Sequence, residues 1–418
     1  MLKKLLLGNN QNLQKKAFTW NIIASTLAAG QSALMLIFVT RFIGLEDAGV
    51  FTLAYSTAQM MLTIGYFDMR SYQVTDVKDP LPFPFYFTSR VITCALMLAV
   101  SAFYIIFKQY TGFKAEVIFL ACVFKMIDAF EDVIHGLFQK SGRLDVAGKL
   151  QTLRYILIIF CFALSLWLGH NLILSLIIAT LVSIAVIFCN LPLIKMFDTL
   201  RLHFHWAKLR SLFLACLPLF IGSYLASYLE NAPKYAIDTY LSSSDQAYYG
   251  ILAMMAFVVN LFSGFAFRPM LTPLAVHWNN RQMGEYLRIV RRLLLWVAAL
   301  ILICEVGAYL LGIPVLSFIY GTDLSQQKGV LLLVILGGGI NSLGTILYHS
   351  LTVMRKQRWL LIGYIIAAIS AFFIAPAFVQ AYGLIGAASA FVLIVTIKAC
   401  VFLAVFICCL QAAKRSRA

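Results

Sequence analysis

The chain has 418 residues, of which 62% are hydrophobic and 12% are charged, whereas soluble domains average roughly 45–50% apolar and about 25% charged. This composition excludes a soluble globular protein, because so much apolar surface must face lipid or other membrane-spanning helices. The formal net charge of +16 does not indicate a nucleic-acid partner, since the lysines and arginines lie in short connections between apolar runs.

Twelve apolar runs could span a bilayer, which takes about 20 residues per helix. If the N-terminus is cytoplasmic, the inner loops carry 26 lysines and arginines and the outer loops carry 5. This bias predicts a multi-pass membrane protein with both termini in the cytoplasm. The predicted spans are 18–40, 48–67, 88–107, 115–138, 154–168, 172–194, 209–229, 248–267, 293–312, 329–351, 359–379 and 383–410.

The connections between the spans are short, and the longest covers residues 268–292. The sequence contains no G-x-x-x-x-G-K-[ST] phosphate loop, so we expect no ATP hydrolysis by that route. The triplet Gly337–Gly338–Gly339 lies inside a span, where close helix packing or a flexible point explains it better than phosphate binding. We therefore expect a protein that is not an enzyme and has no metal site or cofactor.

A weak internal repeat relates residues 41–54 to residues 239–252. At the same offset, Arg70 corresponds to Arg268, each just past the inner end of an even-numbered span. Six spans return the chain to its starting side, so the repeat predicts two six-helix halves of like orientation, residues 1–200 and 201–418. Transporters built from such repeats bind their substrates between the halves.

The fourth span carries an unusual row of ionisable residues. Lys125, Asp128, Asp132 and His135 recur at three- and four-residue steps, with Glu131 adjacent, which places them along one helical face. Charges at this depth must face the bundle interior or a water-filled cavity. The row could bind an ionic head group or relay a proton; alternatively, Lys125 and Asp128 could form a self-neutralising pair that holds helices together.

Several other charges are candidates for function. In the seventh span Pro233 lies near Glu230 and Asp238, which suits a bent helix at a gate, although a solvated helix end is the simpler alternative. Lys398 lies near the middle of the last span and could line a cavity or pair with another helix. Arginines at span ends could bind phosphate oxygens or anchor the helices at the interface; these are Arg41, Arg70, Arg90 and Arg268.

Two segments resemble polysaccharide-repeat flippases of the Wzx type. They are TRFIGLEDAGVFTLAYSTAQMMLTIGYFDMRSYQVTD in the first loop and second span, and AFVVNLFSGFAFRPMLTPLAVHWNNRQMGEY in the eighth span and the following loop. These flippases belong to the multidrug/oligosaccharidyl-lipid/polysaccharide superfamily, which includes MATE multidrug exporters and the lipid II flippase. The resemblance implies an all-α membrane fold with about twelve helices in two six-helix bundles around a central cavity.

The resemblance also implies a function. Such a flippase would move an undecaprenyl-pyrophosphate-linked oligosaccharide from the inner to the outer leaflet of the bacterial cytoplasmic membrane, in the service of O-antigen or capsule biosynthesis. It could work beside a polysaccharide polymerase and a chain-length regulator. The expected cations for the pyrophosphate are Arg41, Arg70 and Arg268 by the resemblance, with Lys125 and Lys398 added from their depth in the membrane.

Transport by alternating access would need a driving force. A proton or sodium gradient could act through acidic residues, and the candidates are Asp128, Glu131, Asp132, Glu230 and Asp238. Three other classes remain open: a MATE-type exporter of small cations, a solute porter of the major facilitator type, and a membrane enzyme such as a repeat-unit polymerase. The basic Lys125 and Lys398 disfavour the first, the loop DMRSYQVTDVKDPLPFP disfavours the second, and the short outer loops disfavour the third.

Overall fold

A computed structural model describes residues 12–75 and 81–415, and every regular element within these residues is helical. Apolar side chains dominate most of these helices, as expected where backbone polar groups must be satisfied within each membrane-spanning segment. In chain order the α-helices are α1 (Leu13–Phe42), α2 (Leu45–Tyr66), α3 (Met69–Thr75), α4 (Phe83–Phe107), α5 (Gly112–Lys140), α6 (Leu144–Gly169), α7 (Leu172–Ile194), α8 (Trp206–Tyr240), α9 (Ser243–Phe267), α10 (Leu271–Asn279), α11 (Met283–Gly307), α12 (Ile313–Tyr320), α13 (Lys328–Val353) and α14 (Gln357–Arg415).

Nine helical segments in the described part of the chain are long and apolar enough to cross a membrane. One of them, Gln357–Ala412 in α14, is 56 residues long, more than twice the roughly 20 residues needed for a single crossing. The helices α2 and α5 coincide with predicted spans but fall outside the nine. Both carry many polar residues and are largely buried against other helices, so their neighbours are protein side chains.

The long helix α14 contains the break that the sequence predicts between the last two spans. Gly383 has φ 59° and ψ −135°, a backbone conformation that glycine adopts without steric cost. Beyond it, a β-carbon at Gly386 would collide with the carbonyl oxygen of Phe378. In a continuous helix residues eight apart are separated by about 12 Å, so the chain folds back at Gly383 and α14 consists of two helices, as the sequence predicts.

The chain divides into two compact units, Met1–Tyr224 and Leu225–Ala418. The division falls inside α8, whereas the sequence-based division at residue 200 lies in the loop before this helix. The reason is that Leu212 and Cys216, in the first half of α8, belong to the hydrophobic core of the first unit. The helix also continues through Pro233 to Tyr240, so it is longer than the predicted span.

The second unit is built around α13. Its glycine triplet lets three helices approach closely: a β-carbon at Gly337 would meet the ring of Phe391 in α14, one at Gly338 would lie 2.7 Å from the Cα of Ala256 in α9, and one at Gly339 would meet Ile301 in α11. Small residues serve this purpose in membrane bundles, where association depends on close van der Waals packing. This geometry agrees with the close-packing interpretation of the triplet.

Replacing Gly338 by valine should therefore destabilise the second unit. We expect the free energy of unfolding to fall by about 1–3 kcal/mol, as for overpacked cores, because α9 must move away from α13. The matched control is Gly329→Val in the same helix, where an added β-carbon meets no atom within 4 Å. Thermal unfolding of the detergent-solubilised variants would compare them, and equal stability of the two would contradict the packing account.

Candidate functional site

The polar face of α5 is buried in the first unit. Lys125, Asp128, Glu131 and His135 expose 5% or less of their surfaces, and the side chain of Asp132 exposes 15%. A buried charge is tolerated when an opposite charge and hydrogen bonds compensate it. The contacts of these side chains therefore decide which of them can serve a ligand.

Four residues form a neutral group, called here the buried ion cluster: Lys125, Asp128, Glu131 and Arg154. The Nζ of Lys125 lies 2.9 Å from Oδ2 of Asp128. Arg154, from α6, places Nη2 2.6 Å from Oδ1 of Asp128 and 2.7 Å from Oε2 of Glu131. Two cations thus balance two carboxylates, and the fully buried Arg154 ties α6 to α5.

Neighbouring helices add further contacts to the ammonium group of Lys125. It donates to Oε1 of Gln31 in α1 at 3.4 Å and lies 4.6 Å from the centre of the Tyr55 ring in α2, within the range of a cation–π interaction. With these partners and an exposure of 4%, Lys125 holds helices together in this conformation.

One helical turn further along α5, Asp132 lies between two arginines. Arg90 of α4 is fully buried; its Nη2 lies 2.8 Å from Oδ2 of Asp132, and its Nη1 donates to the backbone oxygen of Gly65. Arg70 of α3 places Nη1 3.2 Å from Oδ1 of Asp132. We call Arg70, Arg90 and Asp132 the arginine clamp. Its two guanidinium groups share one carboxylate, so the three side chains together carry a net charge of one positive unit.

Two residues of the arginine clamp, Arg70 and Asp132, line a cavity of about 450 Å³. Phe67 and Asp68 both have positive φ and turn the chain from α2 into α3, which brings Arg70 to the cavity. The side chain of Arg70 is 32% exposed, and its Nη2 donates to Oε1 of Gln139 at 3.0 Å. The lining residues are Tyr66, Asp68, Arg70, Ser71, Val74, Asp132 and Gln139.

The second unit holds a different polar group. Lys398, which is 7% exposed, donates to Oδ1 of Asn341 in α13. The Nδ2 of Asn341 donates to Oε1 of Glu230 in α8 at 3.3 Å. An amide thus bridges the ammonium group and the carboxylate, and we call these three residues the amide bridge.

The remaining candidates from the sequence are placed differently. Arg41 is exposed in the last turn of α1, and about 33 Å of α2 separates its end of the first unit from Arg70. Asp238 is partly exposed, two turns beyond Glu230 in α8. The backbone of Arg268 forms part of a short 3₁₀ turn, but its side chain lies outside what the structure describes. A function for each of these residues stays a prediction.

Sequence reasoning assigned no site role to Arg154 or Asn341, and it considered Arg90 only as a span-end arginine that could bind phosphate or anchor its helix. Arg90 and Arg154 lie at the edges of predicted spans and were grouped with the cytoplasmic loops, whereas the structure buries both within helices α4 and α6. The signal that could have found them is charge balance. The carboxylates of α5 outnumber Lys125, so buried cations from other helices are required.

No family model matches the chain. The capsular polysaccharide biosynthesis protein CapF of Staphylococcus aureus is 23% identical to it over 329 residues, which are 77% of this chain and 81% of that protein.

Two solved structures share the fold at 14% identity. The lipid II flippase MurJ in an inward closed conformation has a TM-score of 0.67, over 91% of this chain and 87% of its own. A multidrug resistance MATE family transporter of the MOP superfamily, in its outward-facing conformation, has a TM-score of 0.58 over 99% and 98%.

The chain is therefore a multi-pass integral membrane protein with the all-helical MATE-like fold, and the predicted fold class is confirmed. The relative in capsular polysaccharide biosynthesis and the MurJ-like and MATE-like fold also confirm the resemblance to polysaccharide flippases of the multidrug/oligosaccharidyl-lipid/polysaccharide superfamily.

The buried ion cluster predicts a strong dependence of stability on Arg154. The Arg154→Gln variant leaves two buried carboxylates with Lys125 as their remaining cation, so we expect a loss of about 3–5 kcal/mol in the free energy of unfolding. The control is Arg288→Gln. The side chain of Arg288 is 68% exposed and pairs with Glu285, so its loss should lower the free energy of unfolding by under about 1 kcal/mol. Denaturation in detergent would measure both, and similar losses would contradict the cluster's role.

Proposed function

We propose that this protein is a flippase that moves an undecaprenyl-pyrophosphate-linked oligosaccharide repeat unit from the cytoplasmic to the outer leaflet of a bacterial cytoplasmic membrane. Both termini would be cytoplasmic, and the product would pass to a polysaccharide polymerase and its chain-length regulator. The observation that carries the proposal is the arginine clamp, in which the partly exposed guanidinium of Arg70 lines a cavity of the first unit.

Chemistry supports a diphosphate as the group that this site would recognise. A guanidinium is planar, is charged at every physiological pH and can donate two parallel hydrogen bonds to phosphate oxygens. Arg70 is the partly exposed cation of the clamp, and Ser71 and Gln139 add polar groups on the same cavity wall. The relative described as a capsular polysaccharide biosynthesis protein supports a saccharide cargo, and the neighbour described as a lipid II flippase supports a lipid-linked one.

A MATE-type exporter of small organic cations is the second candidate. Two carboxylates, Asp68 and Asp132, line the cavity, and carboxylates are the groups that an exporter of cations would use. The full-length similarity to a multidrug transporter is compatible with it. The two candidates differ in the sign of the cargo's charge, so transport of an anionic and of a cationic probe separates them.

Transport in vesicles tests the proposal directly. Vesicles containing the protein should move a polyprenyl-diphosphate-linked saccharide between leaflets, measured as its accessibility to an added glycosyltransferase or lectin. We expect Arg70→Gln to reduce the rate of transport at least about tenfold, because losing one charge-assisted hydrogen bond costs roughly 1.4 kcal/mol, which corresponds to a factor of ten. Arg41→Gln, at the other end of α2, provides a matched arginine substitution, for which we expect a smaller loss.

Movement of a cationic dye without movement of the lipid-linked saccharide would reject the flippase in favour of the exporter. Equal losses of transport rate in the Arg70 and Arg41 variants would show that the arginine clamp has no special role in binding the cargo, although the protein could still be a flippase.

For the driving force, we assign coupling to the amide bridge ahead of the carboxylates of α5. Asp128 and Glu131 are already held by Arg154, and Asp132 by the clamp. Lys398 has no carboxylate within 4.0 Å in the described part of the chain, since an amide separates it from Glu230. A change in proton or sodium occupancy near Glu230 would therefore alter the amide bridge without first breaking an ion pair.

Vesicles with imposed gradients test this assignment. We expect transport by the wild type to respond to a proton or a sodium gradient, and Lys398→Gln, which keeps a hydrogen-bonding side chain without the charge, to lose that response. Lys328→Gln, which removes a lysine at the start of α13, is the matched control and should keep the response. A wild type that ignores both gradients, or a Lys398 variant that still responds fully, would contradict the assignment.

A further inference from the structure

The cavity beside Arg70 is not positively charged as it stands. Arg70 faces the carboxylate of Asp132, and Asp68 lines the same wall, where its carboxylate accepts a hydrogen bond from Ser223. An anion that enters this cavity meets two carboxylates and a guanidinium that already has a partner. A diphosphate therefore gains the full charge of Arg70 only if Arg70 exchanges one anionic partner for another.

The two halves of the arginine clamp differ in a way that permits this exchange. Arg90 is fully buried, holds Oδ2 of Asp132 at 2.8 Å and is itself fixed by the carbonyl oxygen of Gly65. Arg70 holds Oδ1 at 3.2 Å, and its side chain is 32% exposed to the cavity. If Arg70 moves away, Asp132 still has Arg90 as a counter-ion. Asp132 and Arg90 then remain paired with each other, and Arg70 is free to pair with an incoming phosphate.

We propose that Asp132 occupies the place of a phosphate on Arg70 and that an entering diphosphate displaces it. Asp132 would hold the guanidinium in a receptive position when the site is empty and would stay with Arg90 when the site is occupied. The inference rests on the proposed function, because it assigns to the flippase's own site a mechanism that excludes weaker anions. A monoanionic carboxylate or chloride gains too little to displace Asp132, whereas a diphosphate offers more charge and bidentate geometry.

The cavity and the contacts of Arg70 are consistent with this exchange. A volume of about 450 Å³ lies in the range of small-molecule sites, roughly 300–1,000 Å³, and is large enough for a diphosphate group. Arg70 has a second anchor in Gln139, to which Nη2 donates at 3.0 Å. That bond can remain while Nη1, which now faces Asp132, turns to a phosphate oxygen.

The test compares binding of two probes, inorganic pyrophosphate and a polyprenyl diphosphate, to the full-length protein in nanodiscs. Removal of the competing carboxylate in Asp132→Asn should raise the affinity about three- to tenfold, the range expected for releasing one partly buried ion pair. Asp132→Glu, which keeps the carboxylate, should show no gain. Asp132→Ser replaces the asparagine variant if the latter is not monodisperse after purification.

Asp68→Asn is the matched control for charge alone, because Asp68 lines the same cavity but bonds to Ser223. A clearly larger gain for Asp132→Asn than for Asp68→Asn supports displacement, as does loss of that gain when Arg70 is replaced by glutamine. A gain with both probes means that the phosphates suffice, and a gain with the lipid probe alone means that the membrane-bound head group is required. Both of these results support the exchange.

Equal gains for the two asparagine variants, no gain, or a gain that persists without Arg70 would overturn the inference. These results are distinguishable from failure of the proposed function. If the wild type moves the lipid-linked saccharide but Asp132→Asn shows no gain in affinity, the exchange alone is refuted. If the wild type moves no saccharide, the flippase function is refuted.

Discussion

The first unit depends on the neutralisation of carboxylates buried along one helix. Asp128, Glu131 and Asp132 of α5 cannot be charged inside a membrane protein unless cations reach them. Lys125 supplies one of these cations from the same helix, and Arg154 and Arg90 supply others from α6 and α4. The positions of α4 and α6 against α5 are therefore set by ion pairs as well as by apolar packing.

The same constraint explains why most of the charged face is already engaged in ion pairs within the first unit. The buried ion cluster is neutral and closed, and its members bond to one another. One turn further on, Arg70 and Arg90 share a single carboxylate, and Arg70 faces the cavity. A polar row on a transmembrane helix can thus contain both a structural part and a part available for binding.

Much of the architecture could be predicted from the sequence because hydrophobic runs and loop charges report directly on the membrane. The break at Gly383 and the shared face of Lys125, Asp128 and Asp132 are examples. The partners of these residues could not be predicted in the same way. Arg154 lies at the edge of an apolar run, as a loop arginine would, and only tertiary packing brings it to Asp128 and Glu131.

The central claim is that Arg70 is the cation that meets the diphosphate. Solid-state NMR can measure it as dipolar dephasing between ³¹P of a bound polyprenyl diphosphate and ¹⁵N-labelled arginine side chains in the full-length protein. The account predicts a contact of hydrogen-bond length that disappears in Arg70→Gln and persists in Arg41→Gln. A phosphorus–arginine contact that survives the loss of Arg70, or no such contact in the wild type, would contradict it.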